Sequence, residues 1–204
     1  MQFLSSTSYI RWGTWYTNVL ITSTAPTLNT WHHIAVSRSG TTLRIFLDGV
    51  QIGTATDTMN YSSTNTLDIG WAADGYFPGY ISNVRILKGT ALYTSGFTPS
   101  TTPLTTTSQG ASGCQLLLNF TNGAVFDNAA MNDLQTVGNA QISTTQSKFG
   151  GSSMYFDGAG DGLFMPSTAT TRFGSANWTI EFWFRTAAAT TRQIMLGWNS
   201  ISSG

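Results

Sequence analysis

Apolar and polar residues alternate along several short segments of the chain. In the segment 178–185, Trp, Ile, Phe and Phe alternate with Thr, Glu, Trp and Arg, and the segments 31–38 and 42–47 show the same period. Successive side chains of a β-strand point to opposite faces of a sheet, so a period of two predicts half-buried strands. No segment shows a comparable helical stripe. The pattern therefore predicts an all-β protein whose short antiparallel strands form a sandwich or jelly roll.

The dipeptide Asp48-Gly49 stands between two of these apolar segments, 43–47 and 50–55. A two-residue turn of the primed type needs positive φ at both central residues, which favours Asp-Gly. We therefore predict that these two segments form a β-hairpin.

The segment 99–113 differs from the rest of the chain. It contains one Leu, two Pro and no charged residue, and most of its residues are Ser, Thr or Gly. Such a composition predicts a linker or a long surface connection, which divides the chain into 1–98 and 114–204. Each part supplies only about six or seven predicted strands and alone would leave sheet edges bare. We therefore expect one sandwich over residues 1–204.

The charge content excludes several classes of function. Charged residues make up 9% of the chain, against about 25% in an average globular domain. Nine Lys and Arg balance nine Asp and Glu, so the positive charge of a nucleic-acid-binding groove is missing. No apolar run approaches the roughly 20 residues of a membrane-spanning helix. We expect neither a nucleic-acid partner nor membrane insertion, and the low charge favours an extracellular or virion-surface location.

The catalytic residue types are scarce. Glu181 is the only glutamate, with no other acid within fifteen residues, whereas a glycosidase needs two carboxylates facing each other across the scissile bond. A pair of aspartates from distant segments is the alternative that this count leaves open. His32 and His33 are neighbours on a predicted strand and point to opposite faces, so they cannot chelate one metal together. We expect one of them to be packed and hydrogen-bonded, and the other half exposed. Cys114 has no intrachain partner and is expected to be a buried free thiol. The chain is therefore predicted not to be an enzyme.

Both parts of the chain resemble the concanavalin A-like lectin/glucanase superfamily, specifically laminin G-like modules of viral tail fibres and bacterial adhesins. The second part carries the family's opening segments, LLLNF (116–120), KFGGSSMYFDG (148–158) and WTIEFWF (178–184). The first part carries its closing segments, WHHIAVSR (31–38), LRIFLDG (43–49) and GYISNVRI (79–86), followed by KGTALY (88–93). The resemblance implies a two-sheet antiparallel β-sandwich of the concanavalin A-like jelly-roll type.

The order of these segments is inverted relative to the family, because the closing part comes first. The chain therefore resembles a circular permutant, or one repeat length cut out of register. Two arrangements follow. The parts fold together as a closed monomer, which we favour because permutation is tolerated where termini lie together at the surface, or each part completes a neighbouring chain in a strand-swapped homo-oligomer.

Two clusters of aromatic residues are candidates for sugar binding. Trp and Tyr rings pack against the apolar face of a sugar, while their polar rims reach its hydroxyl groups. Trp71, Asp74 and Tyr76 lie in a segment with Gly75 and Pro78, which predicts a surface loop. Trp15 lies in the second cluster, together with Trp12, and Trp198 falls near the same permutation point. The alternative for all of these rings is packing in the core.

The resemblance also implies a calcium ion, which laminin G-like modules often hold where their opening and closing segments meet. Asp127 and Asn83 match that place, although the family often has an acid where this chain has Asn83. Calcium needs six to eight oxygen ligands. The sequence offers three places rich in acids and amides where such a site could form: Asp127-Asn128, Asn132-Asp133 and the segment from Asp157 to Asp161. The alternative is that these aspartates cap their own turns.

These observations predict a non-catalytic carbohydrate-binding or adhesion module whose partner is a cell-surface glycan. It would belong to an extracellular or virion-surface fibrous protein, where many copies raise a modest affinity through avidity. The alternative is a structural spacer or self-assembling subunit with no glycan ligand, which the inverted segment order favours.

Overall fold

The computed structural model describes residues 2–4, 9–13, 17–62, 64–72, 75–121, 125–129, 132–169, 171–187 and 193–199. These residues form antiparallel strands, one 3₁₀ turn (Ser108–Gly110) and no α-helix. The strands are β1 (Gln2–Leu4), β2 (Tyr9–Gly13), β3 (Asn18–Ile21), β4 (His32–Ser39), β5 (Thr42–Leu47), β6 (Val50–Thr56), β7 (Thr66–Ile69), β8 (Trp71–Ala72), β9 (Gly75–Tyr76), β10 (Pro78–Lys88), β11 (Cys114–Leu118), β12 (Gln135–Val137), β13 (Gln141–Ser143), β14 (Ser153–Asp157), β15 (Gly162–Met165), β16 (Trp178–Thr186), β17 (Gln193–Ile194) and β18 (Leu196–Asn199).

The strands form the two layers of a β-sandwich, as the sequence predicts. The first layer is one large sheet in the order β13-β14-β10-β16-β4-β5-β6, with β11 paired to β10. The second layer consists of two smaller sheets, β12-β15-β7-β18 and β17-β1-β2-β3. The short hairpin β8-β9 connects β7 of the second layer to β10 of the large sheet.

The main hydrophobic core lies between the two layers. The alternation in β16 identifies the core face correctly: Trp178, Ile180, Phe182 and Phe184 are all buried in this core. The prediction that the strand is half buried is wrong, because Thr179, Glu181 and Trp183 on its other face are buried as well. Leu67 and Ile69 of β7 meet them from the second layer. Since burial of a large apolar side chain contributes roughly 1.5–3 kcal/mol, this inner face of β16 is a main source of stability.

The predicted hairpin at Asp48-Gly49 is confirmed. β5 ends at Leu47 and β6 begins at Val50, and both turn residues have positive φ, 51° and 81°. A side chain at position 49 would also collide with the chain nearby, because a Cβ atom there would lie 1.9 Å from the carbonyl oxygen of Phe97. Glycine is therefore required at the second turn position.

Strands from the two parts of the chain are hydrogen-bonded to each other in the large sheet. β16, from the second part, pairs with β10 on one side and with β4 on the other, both from the first part. The oligomeric state and the circular permutation stay predictions.

Residues 89–113, which we call the covering segment, lie on the outer face of the large sheet. Tyr93 packs against Ala35 and Phe46 in a second, smaller apolar cluster. Further along, in the predicted linker 99–113, Leu104 is buried and donates its backbone N–H to Asn83 Oδ1. This connection is thus held on the sheet by specific contacts.

Candidate functional site

An aromatic stack stands at one end of the sandwich. Trp71 and Tyr76 are paired across the β8-β9 hairpin, and their rings are nearly parallel, with centroids 6.1 Å apart. Phe164 of β15 supports Trp71 from the second layer at a centroid distance of 5.0 Å. Trp71 is partly buried, whereas Tyr76 is 37% exposed. We call Phe164, Trp71 and Tyr76 the aromatic stack.

The close approach of β15 to this hairpin depends on a glycine. A Cβ atom at Gly162 would lie 2.7 Å from the Phe164 ring and 3.3 Å from Cβ of Trp71. Any larger residue would have to displace one of these two rings. The segment Gly158-Ala-Gly-Asp-Gly162, which includes the possible calcium ligand Asp161, therefore also makes room for the stack.

Two turns beside the stack are joined by a buried carboxylate. Asp161 is fully buried, and its two oxygens accept hydrogen bonds from the backbone N–H groups of Asn139 and Asp157. Asp157 in turn pairs with Pro78, two residues after Tyr76. These contacts bring the turns 138–140 and 157–162 to the same end of the sandwich as the stack.

A shallow depression that is wide open to solvent, which we call the groove, lies on the surface at these turns. Its lining residues are Gly138, Asn139, Ala140, Gln141, Tyr155 and Asp157. Amide, hydroxyl and carboxylate groups thus meet an aromatic ring in one concavity, and this mixture of groups can bind a polyhydroxylated ligand.

Asp68 is a buried carboxyl group behind the stack. Its cross-strand neighbours are Phe164 on β15 and Gly197 on β18, on the face of the sheet that points away from the core. Asp68 is not exposed, and its carboxylate oxygens have no hydrogen-bond partner of good geometry among the residues that the structure describes. Burial raises the pKa of Asp68 to about 7, and the Thr66 hydroxyl opposes this shift only in part. The sequence gives no signal for this environment, which depends on strands far apart in the chain.

Glu181 lies on the opposite layer, beneath the covering segment. It is fully buried, and it accepts hydrogen bonds from Arg85 Nε at 2.8 Å, Tyr93 Oη at 2.8 Å and His33 Nε2 at 3.0 Å. Burial alone would raise the pKa of Glu181, but the hydrogen bond and charge of His33, together with those of Arg85, lower it below its usual range. Arg85 also donates to the carbonyl oxygens of Thr105 and Ser108, so the network fastens the covering segment to the sheet.

The prediction for the two histidines is half correct. His33 is packed and hydrogen-bonded on the outer face, as expected for one of the pair. The prediction that His32 is half exposed is wrong, since only 8% of its surface is accessible to solvent. Its Nδ1 lies 2.6 Å from Asp48 Oδ2, and its Nε2 lies 2.9 Å from Thr27 Oγ1. Burial alone would raise the pKa of Asp48, but the His32 side chain and the His33 backbone N–H lower it.

The predicted sugar-binding residues have different outcomes. Trp71 and Tyr76 belong to the aromatic stack, while Asp74 and Trp15 lie outside the described residues. Trp12 is not a surface ring: it is 2% exposed and packs against Trp178 at a centroid distance of 4.9 Å. Its period-two position in β2 is the signal that indicates this burial.

The predicted calcium ligands lie near each other in the fold. Asn83 precedes Val84, which pairs with Leu118 of β11, and Leu118 forms a bridge with Asp127. The opening and closing segments therefore meet here, as the resemblance implies.

Hydrogen bonds already engage both of these side chains. Asp127 Oδ1 accepts from the backbone N–H groups of Leu117 and Ala129, and Oδ2 accepts from Asn132. Asn83 Oδ1 accepts from the side chain of Asn119 as well as from the covering segment. In the described part of the chain, His, Cys, Asp and Glu side chains form no group of three that could hold a metal ion. A calcium ion at these two residues stays a prediction.

Comparison with known proteins supports the fold. Residues 1–93 match a laminin G family model described as the concanavalin A-like lectin/glucanases superfamily. No curated protein and no solved structure matches the chain. Across the residues that the structure describes, no helix has the length and apolar character needed to cross a bilayer.

Proposed function

We propose that this protein is a non-catalytic carbohydrate-binding module that recognises a glycan with the end of the sandwich that carries the aromatic stack. The observation that carries the proposal is the exposed ring of Tyr76, held parallel to Trp71 beside a groove of polar groups. Aromatic rings contact the apolar face of a sugar, and nearby amides and carboxylates bind its hydroxyl groups. The match to a superfamily of lectins and glucanases supports the same ligand class.

The two buried carboxylates Glu181 and Asp68 are not arranged as a hydrolytic pair. A glycosidase places two carboxyl groups on either side of the scissile bond, within about 10 Å of each other. Glu181 is fully buried on the outer face of the large sheet, and Asp68 is fully buried on the outer face of the opposite layer. The hydrophobic core separates them, so these two groups cannot act on one substrate.

The low charge content supports display outside a cell or on a virion, where a repeated module gains from avidity. We therefore propose adhesion to a cell-surface glycan as the role of the module, with calcium as a ligand-bridging or structural ion.

A glycan-array screen of the purified chain tests this function. It should be run once in calcium and once after chelation, with folding checked by near-ultraviolet circular dichroism. We expect reproducible binding to a defined set of glycans. Binding that is lost after chelation supports the calcium proposal, whereas binding that survives chelation contradicts it. A folded protein that binds no glycan contradicts the proposed function and favours the structural spacer.

A further inference from the structure

A row of four side chains continues the groove across the outer face of the large sheet. Gln141 of β13 pairs with Tyr155 of β14, Tyr155 with Tyr80 of β10, and Tyr80 with Arg185 of β16. Directly paired residues of antiparallel strands share one face of the sheet. With strands about 4.8 Å apart, the row is about 14 Å long. Gln141 and Tyr155 also line the groove, so the row begins there.

The row points to solvent and not into the core. The residues that alternate with it, Phe156, Ile81 and Phe184, are all in the main hydrophobic core. Tyr80, Tyr155 and Arg185 are each partly exposed. The two tyrosine rings contact each other, with centroids 5.0 Å apart and planes at 41°. They therefore present aromatic surface and two hydroxyl groups to a ligand.

The far end of the row is positively charged. The guanidinium group of Arg185 makes no hydrogen bond or ion pair with any residue that the structure describes. Lys148 is a second cation on this face, because its Nζ lies 3.7 Å from the centroid of the Trp183 ring. Trp183 and Arg185 are two positions apart on one strand, so their side chains stand on the same face about 7 Å apart.

The acidic groups near this face offset part of the charge of Lys148 but form no ion pair with Arg185 in the part of the chain that the structure describes. Asp48 interacts electrostatically with Lys148, and it also accepts hydrogen bonds from His32 and His33. Asp157 lies at the groove end of the row, where it accepts from the backbone N–H of Ala159. Among the described residues no carboxylate pairs with Arg185, and a guanidinium group without a counter-charge beside two aromatic rings favours an anionic ligand.

We propose that the row formed by Tyr155, Tyr80 and Arg185, together with Lys148, binds a carboxylate-bearing sugar of the glycan. The planar guanidinium group of Arg185 donates two parallel hydrogen bonds to the carboxylate. The tyrosine rings pack against the ring of the sugar. The neighbouring groove takes the hydroxyl groups of the adjoining sugar. This inference rests on the proposed function, because it specifies the chemical class of the glycan.

The test compares glycans that differ only in the carboxylate. An array of neutral, sulfated and carboxylate-bearing glycans is probed with the intact chain, and the carboxylate-bearing ligands are then reduced chemically to their neutral alcohols. We expect the bound set to carry carboxylates and the affinity to fall about tenfold or more on reduction, as expected for loss of a charge-assisted hydrogen bond. The affinity for the acidic glycan should also fall as salt concentration rises.

Substitutions test whether Arg185 and Lys148 are the residues that bind the carboxylate. Arg185→Gln should lower the affinity for the acidic glycan about tenfold and leave the reduced glycan unaffected, and Lys148→Met should act in the same direction. Arg172→Gln is the matched control, because Arg172 is an exposed arginine outside the row that donates to Ser167. Melting temperatures of all variants identify any that fail to fold.

The outcomes separate the two proposals. Binding of neutral or sulfated glycans that is insensitive to Arg185→Gln overturns this inference and leaves the proposed function intact. A folded chain that binds no glycan overturns both. Loss of acidic-glycan binding in Arg172→Gln as large as in Arg185→Gln contradicts the assignment to the row.

Discussion

His33 Nε2 lies 3.0 Å from Glu181 Oε2, and neither side chain is exposed to solvent. Arg85 and Tyr93 complete the set of donors to this carboxylate. Because Arg85 also bonds the covering segment, the only glutamate of the chain links the large sheet to the segment that lies on it. Glu181 is therefore a structural residue.

Removing this charge should destabilise the protein. Glu181→Gln leaves the buried Arg85 without its counter-charge, which costs about 3–5 kcal/mol in comparable buried pairs. Urea denaturation measures the free energy of unfolding, with the exposed Asp133→Asn as control. Unchanged stability in Glu181→Gln would contradict the structural role.

The stability of the fold should fall as pH rises through the neutral range. Burial raises the pKa of Asp68 from 3.8 to about 7, so the folded state holds a proton that the unfolded state releases. Below about pH 4 the carboxyl group is protonated in both states and its burial carries no ionisation cost. The cost grows between about pH 4 and 7 and levels off above pH 7 at a value on the order of 4 kcal/mol.

Asp68→Asn tests this dependence. The amide carries no charge, so we expect the variant to be more stable than the wild type at pH 8 and to lose most of the pH dependence between 5 and 8. Urea unfolding at both pH values, again with Asp133→Asn beside it, provides the comparison. A wild-type stability that rises between pH 5 and 8, with no gain in the variant, would contradict the buried carboxyl.

The thiol of Cys114 should react slowly while the protein is folded. Cys114 is a free thiol as expected, but it is only partly buried and not fully buried as the sequence analysis expects. This partial burial raises the pKa of Cys114 to about 11, and only the thiolate is an effective nucleophile. Labelling with iodoacetamide at pH 8 should therefore be much slower in the folded protein than in urea. Equal rates in the two conditions would show that the thiol is not shielded.

The turn of the β5-β6 hairpin offers a matched pair of substitutions. Gly49 and Gly40 both have positive φ, but a Cβ atom meets the Phe97 backbone at position 49 and nothing within 4 Å at position 40. Gly40→Ala should cost roughly 1–2 kcal/mol from the left-handed backbone alone. Gly49→Ala should cost clearly more, as measured by thermal unfolding. Equal costs would mean that the covering segment can move away from the turn.

The sequence predicts the features that depend on neighbouring residues. The alternation in 178–185 indicates which side chains of β16 enter the core, and Asp48-Gly49 indicates the hairpin. Both signals are local, because strand period and turn geometry involve residues next to each other in the chain.

The environments of the buried charges could not be predicted in this way. Glu181 meets partners 96 and 148 positions away, and Asp68 lies on β7 between two strands that are distant in the chain, β15 and β18. The same limit applies to the site: sequence analysis finds Trp71 and Tyr76 as neighbours in a loop, but Phe164 and the row from Tyr155 to Arg185 require the strand order. The register between two strands that are distant in the chain cannot be recognised from residues that are neighbours in the sequence.

The most direct test of the glycan-binding proposal is the affinity of Tyr76→Ala for a glycan that the wild type binds, measured by isothermal titration calorimetry. Phe126→Ala is the control, because Phe126 is the more exposed ring, 54% against 37%, and precedes Asp127, which bridges β11. We predict that Tyr76→Ala weakens binding about tenfold, in keeping with the contribution of one aromatic contact, while its melting temperature stays close to that of the wild type and Phe126→Ala binds normally. Wild-type affinity in Tyr76→Ala would contradict the proposal that the aromatic stack binds the glycan.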